Sequence, residues 1–188
     1  MSGRRESPWQ PTREQVASAA GATVPDVVAP RLRVLFVGIN PSLYSGAVGH
    51  HFARPGNRFW RALAASGFTE RVLSPSEERR LLDGGVGITN LVARATASAH
   101  ELLPDELRQG ARRLERKVRR LEPAVVAFLG LVAYRTAFDR PQTGVGPRDE
   151  RFAGALAWVL PNPSGLNAHH QLEDLARAFR RLREAARS

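Results

Sequence analysis

Three apolar runs constrain this chain more than any other feature. They lie within Arg33 to Val37 (RVLFV), Ala124 to Leu129 (AVVAFL) and Ala155 to Leu160 (ALAWVL). Successive strand residues point to opposite faces, so a strand with no polar alternation must be covered on both sides, which is the signature of a parallel sheet between layers of helix. The segments between the runs supply that cover. Asn57 to Ser66 reads as a helix with Phe59 and Leu63 on its apolar face, and Ser76 to Leu82 as a second, stopped by Gly84 and Gly85. In Pro104 to Leu121 the residues Leu107, Ala111, Leu114, Val118 and Leu121 recur at spacings of three and four, which predicts one apolar helix face. A further helix runs from Gly130 to Phe138, and Leu172, Leu175, Phe179 and Leu182 mark a closing one. Val86 to Ile88 reads as a short strand ending in Thr89 and Asn90. The expected fold class is α/β, with a central, mostly parallel sheet.

A length of 188 residues suits one well-buried core. We expect an N-terminal arm over 1–27, loosely attached, with a possible short helix at Glu14 to Ala20, and one domain over 28–188. Gln142 to Phe152, with two glycines, a proline and four charges, reads as an exposed loop. The net charge is +10, and Lys117 is the only lysine among 28 basic residues. Such an excess favours a polyanionic partner, although arginine richness has a bland explanation in coding bias. The helix over Pro104 to Leu121 carries Arg108, Arg112, Arg113, Arg116, Lys117, Arg119 and Arg120 opposite its apolar face, either a solvated face or a phosphate-tracking one. The chain has no cysteine, which removes disulfides, thiolate nucleophiles, cysteine zinc sites and cysteine-ligated iron–sulfur clusters. No stretch approaches the roughly 20 apolar residues that span a bilayer, and none resembles a secretory signal. A cytoplasmic location is expected.

Two polar loops follow the first and last apolar runs: GINPS (Gly38 to Ser42) leading to HHFARPGNRFW (His50 to Trp60), and NPSGL (Asn162 to Leu166). Ligands of open α/β sheets bind outside the carboxyl ends of the strands, so the two loops suggest one shared pocket. Asn40 stands directly after a buried strand and before Pro41, which fixes the backbone. Its amide can hold a water and a substrate carbonyl in fixed relation, or it can merely tie down its own loop. Phe52 offers either a stacking surface for a nucleobase or a ring packed on the following helix. His50 and His51 can titrate near neutrality, yet adjacent histidines in a loop are more often solvated than catalytic. Leu166, beyond Gly165, is either an apolar wedge for unstacking DNA or a turn residue folded into the core. Asn167, His169 and His170 follow it and could meet phosphate at the start of the last helix.

GINPS, HHFARPGNRFW, GITNLVAR (Gly87 to Arg94) and NPSGL, in this order and spacing, resemble the mismatch-specific uracil-DNA glycosylase and thymine-DNA glycosylase branch of the uracil-DNA glycosylase superfamily. The resemblance runs from about Val28 to the C-terminal helix. It implies a three-layer α/β/α sandwich and a metal-free, cofactor-free hydrolase that cuts the bond between base and deoxyribose. The implied partner is double-stranded DNA with G·U or G·T mispairs, and a monomer is expected. Asn40 then corresponds to the asparagine that positions the water, and Phe52 to the aromatic ring on the flipped base. The backbone near Ile39 and Phe52 would recognise the base edge, with Ser45, Tyr44 and His50 setting pocket volume. Asn162, Ser164, Gly165 and Leu166 would form the wedge loop, and Arg58 and Arg94 would contact phosphate. Ala93 stands where relatives commonly carry an acidic residue, and no arginine follows Leu166 closely.

An alternative reading makes the chain, with Ala93, a weakened or inactive form that binds mismatched or abasic DNA. A nucleotide-binding α/β protein would need a GxGxxG or Walker pattern after the first strand, and GINPS is neither. Because a Schiff base needs an amine and Lys117 lies far from both loops, a glycosylase without a lyase step is expected.

Overall fold

The computed structural model describes residues 10–165 and 171–187. Its sheet has five strands: β1 (Val34–Gly38), β2 (Val86–Asn90), β3 (Val125–Leu129), β4 (Gly146–Phe152) and β5 (Ala155–Leu160), in the order β2-β1-β3-β5-β4. All neighbours pair in parallel except β4, which runs antiparallel to β5 at the edge. The helices are α1 (Arg13–Ala17), α2 (Leu43–Val48), α3 (Phe59–Ala65), α4 (Pro104–Leu121), α5 (Leu131–Phe138) and α6 (Leu172–Ala185), with a 3-10 segment at Pro75–Gly84.

Alternation along the strands sorts the core into two layers. Val34, Phe36, Ile88, Ala127 and Leu160 face α3 and α6, where Phe59, Leu63, Leu175 and Phe179 are fully buried. Leu35, Val37, Val126, Phe128 and Ala157 face α4 and α5 through Leu107, Leu114, Val118 and Ala133. The result is a three-layer α/β/α sandwich. Among the described residues no helix is long and apolar enough to cross a membrane.

Two expectations need correction. The Gln142 to Phe152 stretch is not wholly a loop, because residues 146–152 form β4. Its charged side chains hid it: an edge strand with one solvated face needs no apolar run, and charge on an edge blunts strand addition. Residues 10–27 of the expected arm are also docked. The α1 helix carries a Thr12–Gln15 capping box, Gly21 N donates to Ala95 O at 2.9 Å, and Val27 bridges to Ile88 at the β2 edge. Burial of Val24 and Val27 holds this segment, a signal too sparse to stand out in an alanine-rich sequence.

Helix α4 shows how local sequence fixes its place. Pro104 occupies the first turn, Asp105 and Glu106 suit the positive helix start, and Arg119 and Arg120 suit the negative end. Gly110 is required by close approach, since a Cβ there would run into the Leu91 backbone.

Candidate active site

The strand order reverses direction between β1 and β3, so their carboxyl ends diverge into a crevice. A cleft of about 890 Å³ opens there. Gly38 to Ser42 at the end of β1, Asn90 and 96–100 at and beyond the end of β2, Leu129 to Ala133 at the end of β3 and Pro161, Asn162 and Ser164 after β5 all line it. Beyond the sheet, segments 38–43 and 90–96 continue side by side, with Leu91 N donating to Gly38 O, Val92 N to Ile39 O and Thr96 N to Pro41 O at 2.9 to 3.1 Å. The Ile39 side chain meets Gly130 across the β1–β3 crevice.

Asn40 is pinned through its amide nitrogen, which donates to Arg94 O at 3.0 Å and to Thr96 Oγ1 at 2.7 Å. A carbonyl can only accept, so the nitrogen must face Arg94 O and Oδ1 must face away from it. Thr96 Oγ1 in turn donates to Ser98 O at 2.8 Å. The segment holding Asn40 is itself clasped to α4. Arg94 Nε and Nη2 donate to Glu106 Oε1 and Oε2 at 2.7 and 2.9 Å, and Glu106 also accepts from Leu103 N. The Arg94 guanidinium, helped by the Leu103 N–H, holds the Glu106 carboxyl down to about 2.

Phe52 adopts a left-handed backbone with φ of 52°, uncommon for a bulky residue. Its ring packs on Phe59 at a centroid distance of 4.1 Å and would lie 3.2 Å from a Cβ at Gly38, while still lining the cleft. The ring is therefore both packed on the following helix and presented to the cavity. Its neighbours lock the turn: Glu78 Oε2 accepts from His51 N, Ser45 Oγ accepts from Ala53 N, and Trp60 Nε1 donates to His51 O. Ser45 is buried, and its hydroxyl serves this loop. His50 Nδ1 lies 2.9 Å from Glu78 Oε1.

Buried His51 reveals a residue that sequence reasoning missed. Its Nε2 lies 3.0 Å from Pro25 O and must donate, which leaves Nδ1 to accept from Asn90 Nδ2 at 3.3 Å. Burial pushes the His51 pKa below 6.5, outweighing Glu78, the Pro25 carbonyl and Asp26, which act oppositely. Asn90 Oδ1 is thereby turned toward Gly38, where a Cβ would collide with it. Asn90 ends a buried strand just as Asn40 follows one, and that shared position was the available signal. Thr96 gave no comparable signal.

The 161–165 loop is held against the Phe52 loop. Arg58 N donates to Pro163 O at 3.0 Å, Arg58 Nη2 to Ser164 O at 2.6 Å, and Ser164 N to Asn162 Oδ1 at 3.0 Å. A Cβ at Gly165 would approach Gly56 O to 2.7 Å, so glycine is needed for this contact. Leu166, Asn167, His169 and His170 lie outside the described residues. Arg58 and Arg94, expected to meet phosphate, also hold internal contacts, the first joining two loops and the second bonding Glu106. Arg54 is exposed at the cleft and, among the described residues, is the only arginine or lysine lining it, with no aspartate or glutamate there. Ala93 is exposed and absent from the cleft wall, while Asn90 and Thr96 on either side belong to it.

Among the described residues no group of three or more His, Cys, Asp or Glu could hold a metal ion. Residues 25–185 match the family model described as the Uracil DNA glycosylase superfamily. The chain belongs to that superfamily. The fold of this uracil DNA glycosylase superfamily member also matches a solution NMR structure from Methanosarcina acetivorans, itself a candidate uracil DNA glycosylase. The match has a TM-score of 0.54 and 17% identity over 87% of this chain and 98% of the other. Membership in the superfamily supports a DNA glycosylase role, and the NMR structure supports the shared α/β fold.

Proposed function

We propose that the protein is a monofunctional glycosylase that flips uracil mispaired with guanine out of duplex DNA and hydrolyses its N-glycosidic bond, leaving an abasic site. The observation that carries this reading is Asn40, whose amide nitrogen is tied to the 94–96 segment and whose Oδ1 remains for a water in the cleft. Extrusion costs a few kcal/mol, least for a mismatched base. Phe52 would face the extruded base, and the Asn90 amide would bond to its edge. As the C1′–N1 bond breaks, its electron pair leaves with the pyrimidine, and the water oxygen bonds to C1′ and releases a proton. The developing pyrimidine anion would be stabilised by fixed dipoles in the cleft. Thymine opposite guanine is a second candidate substrate within the mismatch-specific branch.

Lys117 supports hydrolysis without a lyase step. Its Nζ donates to Asp26 and to Thr89 Oγ1, and it does not line the cleft. Borohydride trapping on abasic DNA is expected to yield no adduct that depends on Lys117.

That no described residue of the cleft wall is a carboxylate also favours a second reading, a protein that binds mismatched or abasic DNA with little turnover. Measuring base release from a G·U duplex beside affinity for the same duplex separates the two. Release under single-turnover conditions supports the enzyme, and tight binding with no release supports the binder.

A further inference from the structure

Helix α4 carries a charge pattern that the cleft does not use. Its ion pairs among the described residues are Glu106 with Arg94 at 2.7 Å, Arg108 with Asp105 at 2.8 Å, Arg119 with Glu115 at 2.6 Å, and Lys117 with Asp26. Arg112, Arg113, Arg116 and Arg120 are exposed, and none makes an ion pair or hydrogen bond with a described residue. At 100° per residue these four share the face opposite the buried Leu107, Ala111, Leu114, Val118 and Leu121. Arg112 and Arg116, Arg116 and Arg120, and Arg113 and Arg116 stand three or four residues apart. Like charges at such spacing destabilise a helix by about 0.2–0.5 kcal/mol per pair. A face kept only for solubility needs no such repulsion, since interspersed signs serve as well.

The helix direction says what could lie there. Pro104 and Leu107 line the cleft, whereas Leu121 O accepts from Arg31 N at the opposite end of the sheet. The stripe therefore starts about 12 Å below the cleft rim and spans about 12 Å more. A straight duplex across the cleft mouth would meet only the first turns of α4.

We propose that the Arg112–Arg113–Arg116–Arg120 face is a second, sequence-independent surface for the phosphate backbone of duplex DNA, distinct from the lesion cleft. The inference rests on the DNA-acting role given above. The stripe holds undamaged duplex while the cleft is empty, and counterion release supplies its affinity.

The test compares the parent with a variant carrying Arg112→Gln, Arg113→Gln, Arg116→Gln and Arg120→Gln. A control carries Arg13→Gln, Arg79→Gln, Arg181→Gln and Arg187→Gln, an equal charge change scattered over the surface. Affinity for an undamaged duplex is measured against salt, with folding checked by circular dichroism and base release from a G·U duplex at saturating protein. The α4 variant is expected to bind more weakly, with a log–log salt slope shallower by about 2–4, and to release base within twofold of the parent. A slope equal to the parent's would overturn the proposal, as would an equal loss in the control, which would assign the effect to net charge. A parent that binds no duplex DNA would sink both the surface and the proposed function, whereas normal base release with an unchanged slope sinks the surface alone.

Discussion

At the residue scale, the cleft separates arginines by what they already hold. Arg94 is bonded to Glu106 and Arg58 to Ser164, whereas Arg54 is the only permanent cation among the described residues that line the cleft. Arg54→Gln is expected to weaken binding of a mismatched duplex and to reduce the salt slope by about one phosphate contact, with base release at saturation little changed. Arg94→Gln should act the other way, loosening the segment that pins Asn40 and lowering the release rate more than affinity. Titrating both variants with salt checks the assignment, and equal slopes for Arg54→Gln and the parent would refute it. His51 gives a pH dependence of definite sign. Its pKa lies below 6.5 in the folded chain, so the unfolded chain binds more protons at acid pH. Stability is expected to fall as pH drops through 6.5 toward the depressed folded value. Glutamine does not titrate in this range, so melting temperatures of His51→Gln should vary less between pH 8 and 5.5 than those of the parent. Ala93→Asp is expected to leave base release within about twofold, because position 93 is exposed and off the cleft wall.

At the element scale, the site depends on close approaches that only glycine permits, at Gly38, Gly110 and Gly165. Gly110→Ala would improve helix propensity by about 1 kcal/mol, yet its methyl would meet the immovable Leu91 backbone. Overpacking of this kind costs about 1–3 kcal/mol, so a net loss of stability is expected in denaturant unfolding, and a gain would contradict the packing described. Gly38→Ala would displace Asn90 and press on Phe52, and should slow base release more than it lowers stability. The clasp between Arg94 and Glu106 has the same pH sign as His51 but acts in a lower pH window. With the carboxyl lowered from 4.5 to about 2, its contribution is present above about 4.5 and disappears as pH falls through 2. The elements β1, β3, β5 and α4 were legible because continuous apolar runs mark the strands and apolar spacing of three and four marks the helix. The α2 helix was not, having six residues and a start set by Ser42 rather than by an apolar face. Asn40 and Phe52 were legible as loop residues after a buried strand, whereas Asn90 and Arg54 required knowing which side chains the folded loops leave facing the cavity.

At the scale of the whole molecule, one sheet places the ends of β1, β2, β3 and β5 around a single cleft, and the chain's excess positive charge lies outside it. The sequence motifs identified the order of these loops, but a charge count could not tell paired arginines from unpaired ones. That distinction comes from tertiary contacts such as Arg94 with Glu106, across a separation of 12 residues. A basic surface around a nearly neutral cleft suits a protein that is held by phosphate and reads its target through shape and a few amides. The most direct test of Asn40 as the centre of that cleft is single-turnover release of uracil from a G·U duplex by the parent and by Asn40→Ala, with duplex affinity measured in parallel. Loss of water positioning is expected to lower release by about 10²- to 10³-fold, the scale of losing one preorganised polar group, with affinity within a few-fold of the parent. Equal release by the two proteins would contradict the role given to Asn40 and to the cleft built around it.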